Sequence, residues 1–139
     1  PAIWAAGDCT RLPYRGEMIR LESVQNAIDQ AEAVAANMLG VGRPYVPQPW
    51  FWSDQYATRL QIAGMVDAPG CVVQRGDVAA GSFSRFYLRD GVMLSALCVN
   101  RPKEFIACKR LIATASPVDP LRLADETCDI NAVLSALPA

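Results

Sequence analysis

The sequence predicts an α+β fold, in which an antiparallel β-meander is followed by helices that pack on it. Four segments that alternate or run apolar carry this prediction, with turn residues between them: 58–66, 71–76, 82–90 and 92–100. Asp90-Gly91, between the last two segments, is a strong signal for a β-hairpin. Of the 139 residues, 52% are hydrophobic, which is enough for one globular domain with a real core.

The chain opens on IWAAGDC, which we interpret as a buried strand that ends in a tight glycine turn. The turn carries one carboxylate, Asp8, and residues 10–20 follow as a loop rich in proline, glycine and charge. From the residues alone, Asp8 is about as well explained by capping of the turn as by contact with a ligand.

A helix is predicted from about Ser23 to Leu39, with Ser23 as its N-cap and Gly40 as the residue that stops it. Its apolar residues follow the i, i+3, i+4, i+7 spacing of a buried helix face. They are Val24, Ala27, Ile28, Ala31, Val34, Ala35 and Met38. The alanines let a neighbouring backbone or a flat ligand come close, and ordinary close helix packing is the simpler interpretation.

Residues 41–55 are predicted to be a connection, which three prolines stiffen and which ends in PWFWSDQ. Trp50, Phe51 and Trp52 cannot all face one side of a strand, because successive side chains alternate. Either one ring packs in the core while another is exposed, or the rings form an aromatic surface that contacts a planar ligand.

Residues 102–115 are predicted to form a helix, because proline is favoured in a first turn. Phe105, Cys108 and Ile112 share one face of it at i, i+3 and i+7. The opposite face is charged and carries Lys103 and Arg110. A last short helix is predicted near residues 130–137.

The composition argues against several classes of protein. A net charge of −1 does not match nucleic acid, and the longest apolar runs are far shorter than a bilayer span, so neither nucleic acid nor a membrane is an expected partner. The absence of histidine excludes His-based triads and most zinc sites. Five cysteines without a CxxC pair favour reduced thiols and a cytoplasmic location. Any difficult chemistry is therefore expected to come from a cofactor.

Several motifs occur in the order found in a known family: the stretch ending in Gly7-Asp8, then RLESVQNAIDQAEAVAANMLG, PWFWSDQ, LQIAG and CVNRPKEF. The chain closely resembles the C-terminal part of the FAD-dependent, NAD(P)H-using ferredoxin reductases of the putidaredoxin and rubredoxin reductase type. The resemblance covers essentially all 139 residues. It implies a remnant strand and long helix of an FAD-binding domain over 1–40, a connection over 41–55 and the reductase C-terminal interface domain over 56–139.

A glycine-rich G-x-G-x-x-G loop between a strand and a helix is not found in the sequence. We therefore expect a fragment that lacks the N-terminal FAD and NAD(P)H folds and is inactive by itself. Residues 1–20 should then lack their native sheet partners, and should be disordered or exchanged with a second chain.

The resemblance also implies the cofactor-binding residues, which are Gly7, Asp8, Glu22, Ser23, Val24 and Trp52. Asp8 corresponds to the aspartate that hydrogen-bonds the ribityl chain of FAD, and residues 22–24 correspond to the helix entrance that meets the isoalloxazine ring. Trp52 corresponds to the aromatic residue that borders the nicotinamide. Without the resemblance, Glu22 is explained by its favourable charge at a helix N-terminus.

The implied activity is the transfer of electrons from NAD(P)H through FAD to a ferredoxin-type iron–sulfur protein, with no catalytic side chain and no metal ligand from this chain. The resemblance also allows a homodimer. A second class of function stays open, in which the chain is a non-catalytic module for dimerisation or for docking of a redox partner. The flavin absorbance of the purified chain distinguishes the two classes.

Overall fold

A computed structural model describes residues 3–65 and 68–135, and the chain divides into two compact units, residues 1–51 and residues 52–139. The first unit contains strands β1 (Leu12–Tyr14) and β2 (Glu17–Ile19) and helix α1 (Val24–Met38). Strand β3 (Trp50–Gln55) begins in the last two residues of the first unit and continues into the second. None of the helices within the described ranges is both long and apolar enough to cross a bilayer.

The prediction of a strand at Ile3–Ala6 is wrong for this chain. Residues 3–6 adopt no regular structure, and Ile3 is 87% exposed. A strand needs a neighbour for its backbone hydrogen bonds, and no segment within 3–65 or 68–135 pairs with these residues. The pairing with a second chain expected for residues 1–20 stays a prediction.

The predicted loop over residues 10–20 contains a small hairpin instead. Strands β1 and β2 pair antiparallel, with Leu12 opposite Ile19. The turn between them places Arg15 at φ 51° and Gly16 at φ 87°, which suits a two-residue hairpin turn. Three-residue strands are too short to produce an alternating pattern, so the sequence did not indicate them.

Helix α1 begins and ends as predicted. The Ser23 side chain accepts a hydrogen bond from the Asn26 N–H at 3.2 Å. At the other end Gly40 has φ 89°, and the N–H groups of Gly40 and Val41 donate to the carbonyls of Asn37 and Ala36. These two bonds form a Schellman motif.

The prediction of a buried apolar stripe on α1 is wrong, because none of its seven members is buried. Val24 is 59% exposed and Met38 is 62% exposed. The buried residues of α1 are polar, Asn26 and Gln30. Their side chains bind backbone groups of neighbouring loops. Within the first unit, these loops therefore cover the polar face of α1 and not its apolar face.

The second unit contains a five-stranded sheet in the order β3-β4-β7-β6-β5. Its further strands are β4 (Thr58–Gly64), β5 (Cys71–Asp77), β6 (Ser82–Arg89) and β7 (Val92–Val99). Strands β5, β6 and β7 form the predicted meander, whereas β4 pairs with β7 instead of β5. The Asp90-Gly91 hairpin is confirmed, with φ values of 51° and 75°.

Three helices follow the sheet: α2 (Pro102–Thr114), α3 (Pro120–Ala124) and α4 (Ile130–Ser135). The predicted face of α2 is confirmed, since Phe105 and Cys108 are buried and Ile112 packs against the core. Leu111 is fully buried with side chains of β6 and β7 such as Phe86 and Met93. The α+β prediction is therefore confirmed, while the last residues of the predicted 130–137 helix lie outside the described ranges.

Candidate functional site

The turn after Ala6 holds Gly7 in a backbone conformation that favours glycine, at φ 84°. The Gly7 carbonyl accepts from the Thr10 N–H at 3.0 Å and from the Thr10 hydroxyl at 2.8 Å. A Cβ added at Gly7 would lie 3.7 Å from Cβ of Ala27, so the glycine backbone approaches an alanine of α1. The predicted close approach of a backbone to this helix is therefore observed.

Asp8 is exposed on this turn. Within the described parts of the chain, no hydrogen bond or ion pair engages its carboxylate. The interpretation of Asp8 as a turn-capping acid is therefore not supported. Its carboxylate is an acceptor that a ligand with hydroxyl groups can use.

Arg20 connects two of the predicted site residues. Its Nε donates to the backbone carbonyl of Asp8 at 2.9 Å and lies 3.0 Å from Oε1 of Glu22. The ion pair is exposed and contributes little to stability, but it holds the Asp8 turn beside the segment that leads into α1. Sequence reasoning did not identify Arg20.

At the start of α1, the predicted site residues differ in which of their groups remain available to a ligand. The Ser23 hydroxyl is buried and accepts from the Asn26 N–H. The Val24 side chain is exposed. The first N–H groups of a helix have no acceptor within it, so this end offers donors and the positive end of the helix dipole.

Two buried side-chain amides on α1, which sequence reasoning did not identify, bind the Gly7–Thr10 turn and the segment that leads into α1. Oε1 of Gln30 accepts from the Gly7 N–H at 2.6 Å and from the Thr10 hydroxyl at 3.0 Å. Nδ2 of Asn26 donates to the Leu21 carbonyl at 2.9 Å. The i, i+4 spacing of the two amides was the available signal, because it places both on one face of the helix.

Tyr45 completes the contacts of Asn26. Its hydroxyl donates to Oδ1 of Asn26 at 3.0 Å. Burial, with a smaller effect from Asp29, raises the pKa of Tyr45 above its usual 10.0. The phenol therefore stays a donor at neutral pH.

Trp52 belongs to the second unit, whereas the other five predicted site residues belong to the first. It lies on β3, so residues 50–55 of the predicted connection form an edge strand of the sheet. Trp50 and Trp52 alternate with Phe51, and both tryptophans are half-buried. Phe51 is 44% exposed, so it is the most exposed of the three rings.

A buried charge cluster in the second unit was also missed. Nε of Arg75 lies 2.9 Å from Oε1 of Glu104, and the Ser84 hydroxyl donates to Oε2 of Glu104 at 2.5 Å. Arg101 reaches the same carboxylate at 3.3 Å. The remaining Arg75 donors bind the backbone carbonyls of Leu123, Asp125 and Cys128. The cluster joins β5, β6 and α2 to the C-terminal segment.

The cysteines are free thiols, as predicted. Cys98 on β7 and Cys108 on α2 are completely buried, and each thiol shifts the pKa of the other. The neighbouring Cys98 thiol and burial hold the pKa of Cys108 well above its usual 9.0. The Cys108 thiol lowers the pKa of Cys98, against the opposing effect of burial. Within the described ranges, no group of three His, Cys, Asp or Glu side chains could hold a metal ion.

The antiparallel sheet with its helices defines the class of the second unit. Residues 50–134 match the family model described as "Reductase C-terminal". The chain therefore belongs to the reductase C-terminal family. The predicted resemblance is confirmed.

Curated relatives match along nearly the whole chain. Rhodocoxin reductase of Rhodococcus erythropolis is 39% identical over 135 residues, covering 96% of this chain and 32% of the relative. Putidaredoxin reductase of Pseudomonas putida is 38% identical over 141 residues, covering 100% of this chain and 33% of the relative. The chain thus spans about one third of the length of the relatives it matches.

Solved structures give the same result. Putidaredoxin reductase in its covalent complex with putidaredoxin matches with a TM-score of 0.89 and 39% identity, over 98% of this chain and 33% of that one. A ferredoxin reductase from Rhodopseudomonas palustris matches with a TM-score of 0.85 and 40% identity, over 91% of this chain and 32% of that one.

Proposed function

We propose that this chain is the C-terminal part of a flavoprotein reductase that passes electrons from NAD(P)H through FAD to a ferredoxin-type iron–sulfur protein. Relatives that match it over nearly its whole length are named as reductases of rhodocoxin and of putidaredoxin, which supports the proposal. The observation that carries the proposal within the chain is the exposed Asp8 carboxylate, which has no hydrogen bond or ion pair among the described residues and lies on a glycine turn that α1 supports.

The residues of the first unit fit FAD chemically. Asp8 presents a carboxylate to sugar-like hydroxyl groups, and Gly7 lets a ligand approach the backbone. The exposed side chains of Val24 and Ile28, one helical turn apart on α1, suit the flat apolar surface of a ring system. FAD supplies the conversion of a two-electron hydride transfer into single-electron steps.

Each remaining residue then has a role in holding the cofactors. Residues 22–24 bring the N-terminal N–H groups of α1 to the flavin ring, where the helix dipole stabilises negative charge. Glu22, paired with Arg20, would lie near the nicotinamide. Trp52 borders the nicotinamide and orients it.

The partners follow from the same proposal. The FAD and nicotinamide folds come from N-terminal domains, and a ferredoxin-type protein accepts the electrons. The solved complex of putidaredoxin reductase with putidaredoxin supports the choice of partner. A cytoplasmic location agrees with five free thiols, and a homodimer is compatible with the proposal.

A hybrid enzyme tests this function. The chain replaces the corresponding C-terminal third of Pseudomonas putida putidaredoxin reductase, and the purified hybrid is compared with the isolated chain. We expect the hybrid to carry FAD and to oxidise NADH with ferricyanide as acceptor. We expect the isolated chain to unfold cooperatively but to oxidise neither NADH nor NADPH.

Asp8→Ala in the hybrid should weaken FAD binding, whereas Asp119→Ala, which removes the N-cap of a short helix in the second unit, should not. A folded hybrid without flavin absorbance would instead support a non-catalytic interface module. Turnover by the isolated chain would contradict the proposal.

A further inference from the structure

We propose that Gln30 is a positioning residue of the flavin site, whose amide oxygen fixes the Gly7–Thr10 turn on α1 and so sets where the Asp8 carboxylate lies. This inference rests on the proposed function. Gln30 is not among the residues that the resemblance implies.

The contacts of Gln30 are specific to the turn. One oxygen, Oε1, accepts from both the Gly7 N–H and the Thr10 hydroxyl, and the side chain is only 6% exposed. These two donors flank Asp8 in the sequence. The position of Asp8 is therefore tied to Gln30 at both sides.

The amide chemistry allows only one orientation of Gln30. A backbone N–H needs an acceptor, and turning the amide by 180° would set its NH2 group against the Gly7 N–H. An apolar side chain of equal length would leave this part-buried N–H without its acceptor. The turn would then occupy several conformations in place of one.

The residues around Gln30 also hold the Gly7–Thr10 turn in place. Gly7 packs near Ala27, one turn before Gln30, and Arg20 holds the Asp8 carbonyl from the other side. Asn26 on the same face of α1 holds the Leu21 carbonyl, next to Glu22. The polar face of α1 thus orders both segments that the proposed function assigns to FAD.

A disordered turn weakens binding in proportion to the fraction of molecules that are ready to bind. In the hybrid enzyme, Gln30→Met should therefore raise the dissociation constant for FAD about tenfold. Thr10→Val removes the hydroxyl that lies within hydrogen-bond distance of both Gln30 and the Gly7 carbonyl, keeps the Gly7 N–H bond to Gln30, and should raise it about threefold. Gln30→Glu keeps an acceptor at the same place and should restore most of the affinity lost in Gln30→Met.

Asn37→Leu is the matched control. Asn37 also lies on α1 and also binds loop backbone, accepting from the Arg43 N–H and donating to its carbonyl. That loop carries no residue assigned to FAD. This variant should lose some thermal stability and keep the FAD affinity of the unsubstituted hybrid.

Dissociation constants are measured by flavin fluorescence on apoprotein, with the absorption spectrum of bound FAD as a second readout. Gln30→Met with lower thermal stability but unchanged affinity and spectrum would overturn the inference and leave the proposed function intact. Should Gln30→Met not fold, Thr10→Val decides by the same criterion. An unsubstituted hybrid that folds without binding FAD overturns the proposed function itself.

Discussion

Nε of Arg75 on β5 lies 2.9 Å from Oε1 of Glu104 on α2, and both side chains are less than a tenth exposed. The other hydrogen bonds of Arg75 within the described residues go to backbone carbonyls, one in α3 and two in the segment between α3 and α4. A guanidinium can bind several acceptors at once in a fixed planar geometry. One buried cation therefore connects the sheet to the C-terminal segment, in addition to the apolar packing of Leu123, Ile130 and Val133.

Arg75→Met should lower the free energy of unfolding of this chain by about 3–5 kcal/mol, the usual cost of removing one partner of a buried ion pair. The substitution leaves the Glu104 carboxylate buried, with the Ser84 hydroxyl and the more distant Arg101 guanidinium as its partners among the described residues. Urea denaturation followed by circular dichroism measures the change. Arg85→Met, at an exposed site on the neighbouring strand β6, should change stability by about 0.5 kcal/mol or less. Equal effects of the two substitutions would contradict the role of Arg75.

Thiol reactivity should follow exposure. At pH 8 we expect iodoacetamide to modify Cys9 and Cys71, which are exposed, while Cys98 and Cys108 react only after unfolding. The raised pKa of Cys108 keeps it protonated as pH increases through 9.0, and burial denies the reagent access to Cys98 despite its lowered pKa. Mass spectrometry of labelled peptides measures this. Rapid labelling of Cys98 in the folded chain would show that β7 and α2 separate readily.

The Asp125 carboxyl should titrate below its usual pKa of 3.8, because the Thr127 hydroxyl and N–H both donate to it. A lowered folded-state pKa means that the stabilisation is present above pH 3.8 and is lost as pH falls through the folded-state value. Thr127→Val should raise this pKa towards 3.8, as measured by NMR titration. Thr114→Val, whose hydroxyl binds only carbonyl and hydroxyl oxygens, should leave it unchanged.

Trp52→Ala in the hybrid enzyme should leave FAD bound and slow flavin reduction by NADH about tenfold to a hundredfold, because poor placement of the nicotinamide reduces the rate steeply. Stopped-flow absorbance measures this step. Phe51→Ala, which removes the neighbouring ring of β3, should not slow it. If Trp52→Ala reduces its flavin at the rate of the unsubstituted hybrid while losing stability, Trp52 only fills space in the core.

Local signals in the sequence predicted local structure well. Ser23 and Gly40 marked the ends of α1, and Asp90-Gly91 marked a hairpin. In each case the deciding hydrogen bonds or backbone angles involve residues only a few positions apart. The chemistry of such residues is therefore sufficient to predict the outcome.

The site was predicted through resemblance more than through pattern. Asp8 and Glu22 were named, but Arg20, which connects them, and Gln30, which holds the turn, were not. A glutamine inside a helix has the same appearance in a sequence whether it faces water or a buried N–H group.

Only the tertiary structure decided which distant segments of the chain contact one another. It placed β4 beside β7 and covered Asn26 and Gln30 on α1 in place of the apolar stripe. Among the described residues, it gave residues 3–6 no strand to pair with. It also joined Arg75 to Glu104, 29 positions along the chain. Periodicity predicts that a helix has two faces, but the face that becomes buried depends on the groups that distant segments bring to it. For α1 those groups are backbone N–H and carbonyl groups, which require polar partners once water is excluded.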